Sequence, residues 1–519
     1  MFPYLKAKIR AIKARLGGGE EAPPEESPQT PLGKNLLENM ITLREKYQNS
    51  SDFLTREITV QGVPVSFVMI EGMVNIQTMS EILLEPLLNE PFEKNTTAES
   101  IYDFIEKRSV LGIDLKDVYS DEEVFQFIMS GFVVILIDGI AKGVAIGMQG
   151  FNFRGISEPA SEINERGSRE GFTEPLRINL TMVRRRIKSP KLKFDLFSVG
   201  SISKTDVCLV YMTNRISPKL VREVRHRITQ IKLDVILTSG YIQPFLEGKP
   251  WSLFSDVGTT ERPDTLAAKI NEGRIAILVD GTPFALIVPY LFSENFQSLD
   301  DYAHRSYYAT FIRFIKYFSF AAAILLPALY VAIGTFHPEL LPHALLFNIA
   351  AAEEITPFPL MVEALIIHLL YEVMREAGLR LPRPIGHAVS IVGALVIGDA
   401  AVTAGLIGAP MVLVVAMTAI ASFVVPSLYE PVSILRFVFL FVGGTMGLYG
   451  IAIGCVLLLI NVCSLNSFGA PYMAPISPLS PVAMRDTFIR ASFTTLQKRT
   501  VKVQGLKGVN MENNQDDNM

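Results

Sequence analysis

The chain is 519 residues long, 49% hydrophobic and only 19% charged, with a formal net charge of −4. That balance excludes a global basic field for nucleic acid. Three scattered cysteines, Cys208, Cys455 and Cys463, exclude a disulfide framework.

The chain opens with Lys6, Lys8, Arg10, Lys13 and Arg15 interleaved with apolar residues. No uninterrupted apolar core follows, so this is not a secretory signal. It reads as a short basic amphipathic stretch. Gly17 to Gly19, Pro23, Pro24, Pro28 and Pro31 then mark residues 17–35 as a disordered linker. Residues 1–45 are therefore expected to precede the folded part, and the first three hundred residues to lie in the cytosol.

An internal repeat follows. Val65–Val74 and Val207–Ile216 share one pattern of strand, turn and helix entry, and Gly131–Gly139 recurs as Gly273–Gly281. The shift is the same both times, from 65 to 207 and from 131 to 273. Two copies of one α/β subdomain are expected, with cores at 50–155 and 195–295 inside domains 46–160 and 195–300. Each copy carries a helix after its first strands (Ile76–Leu88; Pro218–Ile231) and a second one (Glu122–Ser130; Thr265–Glu272). A strand then ends in Asp138-Gly139 or Asp280-Gly281. Asp-Gly between apolar runs predicts a type I′ hairpin turn. The return strands are Ala141–Met148 and Pro283–Tyr290.

Residues 161–194 read as a connector. Thr173 and Pro175 start a helix, and Arg184, Arg185, Arg186 and Lys188 close it. Those four cations are either a solvated helix end or a patch for anionic headgroups or a partner.

From residue 301 the chain is written for lipid. Tyr317–Thr335, Met411–Leu428 and Phe437–Cys463 contain no charge from end to end. A bilayer-crossing helix needs about 20 apolar residues. Ile355–Tyr371 is a shorter candidate span with Glu363 at its centre, and Ile385–Gly408 another, with Asp399 past its middle. Acids at such depth line water, pair or hold a proton, so Glu363 and Asp399 are candidates for an ion path. Gly443, Gly444, Gly447, Gly450 and Gly454 offer close helix packing. Ser464–Met484, with four prolines, reads as a loop or partial leg buried in the bundle. Arg485 onward (485–519) reads as a basic cytoplasmic tail. Five full spans would strand that tail outside. Either Ile355–Tyr371 is re-entrant or Ser464–Met484 supplies a return leg.

No nucleotide loop, zinc-protease motif or cysteine pair with metal spacing is present. His337 and His343 share a loop with Glu339, but Pro338 and Pro342 make it a turn rather than a metal site. Neither enzyme activity nor a cofactor is expected.

Four segments carry a family resemblance: Thr356–Ala364, Arg380–Gly398, Arg169–Arg177 and Leu465–Pro475. They resemble the hallmark segments of A subunits of GerA-type spore germinant receptors, over about residues 45–500. A paralogous branch associated with dipicolinate release shares them. The resemblance implies a protein of the inner spore membrane; the apolar runs predict that it is multi-pass, and the basic flanks at Arg313, Lys316 and Arg485 onward predict N- and C-terminal regions in the cytoplasm. It implies a B-type transporter-like partner, a C-type lipoprotein partner and self-association into a homo-oligomer. It implies an ion-conducting role in nutrient-triggered germination. The competing reading is a non-conducting signalling scaffold. The fold class expected is a duplicated cytosolic α/β domain followed by a polytopic helical membrane domain.

Overall fold

The computed structural model describes residues 30–47, 50–89, 97–108, 115–148, 150, 159, 162–381, 398–496, 503–506 and 508–509. The basic N-terminal stretch, most of the expected linker, the Ile385–Gly408 span before residue 398 and about half of the tail lie outside the described residues.

Two five-stranded sheets share one topology. The first contains β1 (Phe53–Val60), β2 (Val63–Ile70), β3 (Leu115–Val118), β4 (Phe132–Ile137) and β5 (Gly143–Gly147), in the order β1-β2-β4-β5-β3. The second contains β6 (Leu192–Val199), β7 (Thr205–Met212), β8 (Gly258–Thr260), β9 (Ile275–Val279) and β10 (Ala285–Val288), in the order β6-β7-β9-β10-β8. Register repeats as well. Val65 faces Ile137 as Val207 faces Val279, and Asp117 faces Val144 as Thr259 faces Leu286, with the sequence shift of the repeat preserved in both.

Alternation along each strand feeds two cores. In the first unit Val65, Phe67, Val133 and Ile135 pack under the helical stretches 76–89 and 98–108. Val68, Ile70, Val134 and Leu136 pack under α1 (Leu36–Lys46) and α2 (Asp121–Ile128). In the second unit Cys208, Val210, Ala276 and Leu278 pack under α3 (Leu176–Arg186) and α5 (Pro263–Asn271). Val207, Leu209, Ile275 and Ile277 pack under α4 (Pro218–Thr229).

Two expectations change here. The first unit begins near residue 30, because Leu32, Leu36, Met40 and Leu43 are buried in its core. The helix expected as a connector is the counterpart of α1, and Leu176, Leu180 and Val183 face the second sheet. The Asp-Gly turns also differ. Only their glycines have positive φ (91° and 84°). The aspartates instead cap those helices: Asp138 Oδ1 accepts from Leu36 N and Asp280 Oδ1 from Leu176 N, both at 2.9 Å. Both φ are positive instead at Gln61-Gly62, the two-residue turn between β1 and β2.

Among the described residues, two helices are long and apolar enough to cross a membrane by length and composition: Ser306–Phe336 and Pro426–Cys463. The helical region comprises α6 (Ser306–Phe336), α7 (His343–Glu353), α8 (Leu360–Arg380), α9 (Ala409–Phe423) and α10 (Tyr429–Cys463). α10 is not one straight leg. Gly447 sits at φ 62°, ψ −150°, a conformation open essentially to glycine alone. Before it, α10 runs alongside α6 in the same direction: Arg436 Nε donates to Ala323 O at 3.1 Å, Gly443 lies against Ala328, and Gly447 against Phe336. After it the chain turns back, placing Ile451 on Gly443 and Phe439 on Gly454. The Phe437–Cys463 run, expected as one long span, is therefore the heart of a helical hairpin.

That reversal brings the end of α10 back towards its start. Tyr317 at the base of α6, Val425 and Leu428 after α9, Val432 at the start of α10 and Val462 at its end join one cluster with Phe254, Phe292 and Phe296 of the second α/β unit. Phe336 and Gly447 meet at the opposite, distal end. Leu360 is distal too, against Gly334. Glu372, further along α8, is proximal, bonded to Tyr429 and Ser433. The helical region thus leaves the α/β unit and returns to it.

Candidate coupling site

Two buried assemblies hold the helices to the second α/β unit. The first centres on Arg313, fully buried near the start of α6. Its Nε donates to Asp301 Oδ2 at 2.8 Å, and Nη1 donates to Asp486 Oδ1 at 2.9 Å and to Asp486 O at 2.7 Å. Tyr302 hydroxyl and Gln297 amide also reach Asp486, both at 2.7 Å. One guanidinium thus joins the segment before α6 to the segment after α10. Beside it, Arg274 pairs with Glu272 and Glu294, and Lys269 stands 3.5 Å from Glu294. Burial draws the Lys269 ammonium down to about 8, against the pull of Glu272.

The second assembly is a hairpin after α10. β11 (Asn466–Ser467) and β12 (Ala470–Pro471) flank Phe468 and Gly469, at φ 49° and 84°. A bulky residue in the left-handed region costs about 1–3 kcal/mol. Here it turns the ring into the core of the second sheet, where Phe468 is 4% exposed among Val207, Leu209 and Ile242, with the Arg227 guanidinium 4.4 Å from its centroid. Ser467 Oγ donates to Asp256 O at 2.8 Å, and Tyr472 O accepts from Phe292 N at 2.8 Å. Burial lifts the Asp256 carboxyl to about 6, although it accepts from the Gly248 amide. The proline-rich stretch expected inside the helical bundle therefore docks on the α/β unit instead. It goes there because its apolar side chains complete that unit's core.

Of the expected ion-path residues, Glu363 lies in the first turn of α8 rather than at mid-span. It is 1% exposed. Its Oε1 accepts from Gly408 N at 2.5 Å, at the start of α9, while Oε2 has no hydrogen-bond partner among the described residues. Asp399 is exposed, a few residues before the distal turn at 405–408, so the structure does not bring the two acids together. Sequence reading passed over Glu353, whose Oε1 is also buried without a partner among the described residues, and Arg436. Arg436 is fully buried, 3.2 Å from Glu372, which also binds Tyr429, Ser433 and Arg375. It sits one residue before the uncharged run, where it reads as a flank.

The centre of the basic cluster is neither a solvated helix end nor a surface patch. Arg184 is fully buried, its Nε 2.8 Å from Asp52 of the first unit. It also donates to Ser189 O and Leu192 O and stacks 4.3 Å from the Phe194 centroid. Arg185 and Arg186 both pair with Glu170. Lys188 is exposed and touches Ser130 Oγ at 3.3 Å. The cluster's centre is thus a clamp between the two α/β units, because Asp52 is buried and demands a cation.

Comparison with known proteins places this architecture. A family described as "GerA: Bacillus/Clostridium GerA spore germination protein" matches residues 41–502. Spore germination protein KA of Bacillus subtilis is 41% identical over 91% of this chain and 87% of that protein. A Bacillus subtilis protein titled uncharacterized membrane protein YfkQ is 39% identical over 95% of this chain and 96% of its own. Spore germination protein GerLA of Bacillus cereus is 36% identical over 91% and 96%. The solved N-terminal domain of the A subunit of the Bacillus megaterium spore germinant receptor GerK3 is 32% identical. It covers 51% of this chain and 99% of that chain, with a TM-score of 0.42. With a family match over most of its length and relatives 41% and 36% identical, the chain belongs to the GerA spore germination protein family.

Proposed function

We propose that the chain is the A subunit of a spore germinant receptor, which couples its α/β units to an ion path through the spore membrane. The observation that carries this reading is the double attachment at the proximal end. Arg313 ties α6 to Asp301 and Asp486, and Phe468 seats the end of α10 in the core of the second sheet. A displacement of that unit therefore moves both ends of the helical region. The described legs support a multi-pass arrangement with the α/β units and the segment after α10 on one face, the cytoplasmic one. The path is formed by several copies, with Asp399 near its distal mouth and Glu363 setting the position of α9. A B-type transporter-like subunit and a C-type lipoprotein complete the receptor.

The test is ion flux from purified protein in liposomes, with and without candidate amino acids or sugars. Glu363→Gln is expected to alter conductance or cation preference while assembly persists. Unchanged flux and germination in Glu363→Gln would assign the ion path elsewhere. One observation favours a second reading, a non-conducting scaffold: the Glu363 carboxylate already holds the Gly408 amide, as a structural acid does. Absence of flux from any reconstituted oligomer selects that reading.

A further inference from the structure

A cavity of about 800 Å³ opens at the foot of α6. Arg166, Arg305, Arg490, Tyr302, Tyr308 and Phe493 line it, and among the described residues no carboxylate does. None of the three arginines forms an ion pair among the described residues. Arg490 is the decisive one. It is 3% exposed, held by Tyr302 O at 3.1 Å and Ala491 O at 3.4 Å, and its buried Nε has no partner among the described residues. A buried guanidinium without a counter-ion is costly. Its Cζ lies 4.3 Å from the Phe493 centroid and 5.6 Å from that of Tyr302, so aromatic faces hold it without neutralising it.

The cavity is also the N-terminus of a long helix. Arg305 occupies the cap position of α6 and no side chain caps it. The first-turn amides of such a helix are open donors with a partial positive charge. Two acids stand at its rim, each with a partner: Asp300 accepts from the amides of Glu165 and Arg166, and Glu165 faces His304, a lining residue, at 3.8 Å.

We propose that this cavity binds a phosphate group, and that an anionic phospholipid headgroup supplies it. Arginine forks and open helix amides are the donors that recognise phosphate. The source follows from position. Tyr307, Phe311, Phe314 and Phe318 are 69%, 60%, 53% and 75% exposed. They recur on one stripe of α6 leading away from the cavity. Tyr307 and Tyr308, 69% and 46% exposed at the foot of this apolar helix, mark the headgroup level of a bilayer. The lipid source rests on the membrane placement proposed above, whereas the phosphate site itself does not.

The experiment is native mass spectrometry of the purified full chain in detergent, titrated with phosphatidylglycerol, phosphatidylcholine or inorganic phosphate. Phosphatidylglycerol is expected to bind saturably and in preference to phosphatidylcholine. Arg166→Gln with Arg305→Gln, both exposed and tolerant of change, should weaken that binding about tenfold or more, and Lys188→Gln should not. Arg490→Gln should abolish it, but this buried residue also risks the fold, so the exposed pair decides. If inorganic phosphate binds with the same arginine dependence and displaces the lipid, the phosphate site stands and its ligand is soluble. Equal binding of the two lipids, or full binding by the double variant, overturns the proposal.

Discussion

At the scale of single residues, buried charges decide where the chain is rigid. Arg184 and Asp52 are 0% and 4% exposed and sit in different α/β units. Removing one member of such a pair leaves the other buried and uncompensated, at a cost of about 3–5 kcal/mol. Arg184→Ala should therefore lower the unfolding midpoint sharply, and Arg184→Met with Asp52→Asn should recover much of the loss. Thermal unfolding of the two variants checks this, and equal losses would contradict the clamp. Glu162 gives a pH-dependent counterpart. Burial lifts its carboxyl from 4.5 to about 7, although Thr260 Oγ1 donates to it at 2.7 Å. The folded state then keeps a proton that the unfolded state releases. Its contribution to stability is intact below pH 4.5, falls as pH rises towards 7, and is lost above that. Glu162→Gln should raise the midpoint by about 2–5 °C at pH 8 and leave it unchanged at pH 4.

At the scale of elements, two glycine-bearing reversals shape the helical half. Gly447 closes the α10 hairpin at a φ/ψ that a Cβ disfavours, and a Cβ there would also lie 3.2 Å from the Phe336 ring. Gly447→Ala should destabilise the hairpin by about 1–3 kcal/mol. Lower yield and a lower midpoint in detergent are the expected results. Gly450→Ala, in helical backbone, reports crowding alone, since its Cβ would lie 2.6 Å from Met446. Phe468 is the corresponding feature at the proximal end. Truncating a buried Phe to Ala costs about 3–5 kcal/mol, less the strain released at its positive φ. Phe468→Ala should detach the end of α10 from the second sheet and increase amide exchange in both. Protection unchanged in β7 and β9 would rule out this anchoring by Phe468.

At the scale of the whole molecule, the α/β units and the proximal helix ends form one side. In a Cys-free background, Glu339→Cys in the distal loop should react with an impermeant thiol reagent added outside intact cells. Ser201→Cys in the second α/β unit and Ser492→Cys after α10 should react only after permeabilisation. Labelling of Ser492→Cys from outside would break the shared-face arrangement, whether or not the chain conducts ions.

The repeat was legible in the sequence because alternation and strand length are local properties. Val65 to Ile70 and Val207 to Met212 must each place one set of side chains on either sheet face, and the common shift between the copies carries register with it. The lipid-like composition after residue 301 was legible for the same reason, as were the Asp-Gly ends of β4 and β9. Roles that depend on distant partners were not. Arg184 reads as one of four helix-end cations, and only the approach of Asp52, 132 positions away, turns it into a clamp. Asp138 and Asp280 read as turn residues until helices far earlier in the chain present their amides. Composition measures the apolar length of Phe437–Cys463 but not its direction. Whether five such glycines let the helix continue or reverse depends on what packs on either side, and here Ala328 lies on Gly443, Phe336 on Gly447 and Phe439 on Gly454. Local periodicity determined the elements, whereas the pairing of buried charges and the direction of each leg were decided by contacts that form only when the whole chain is folded.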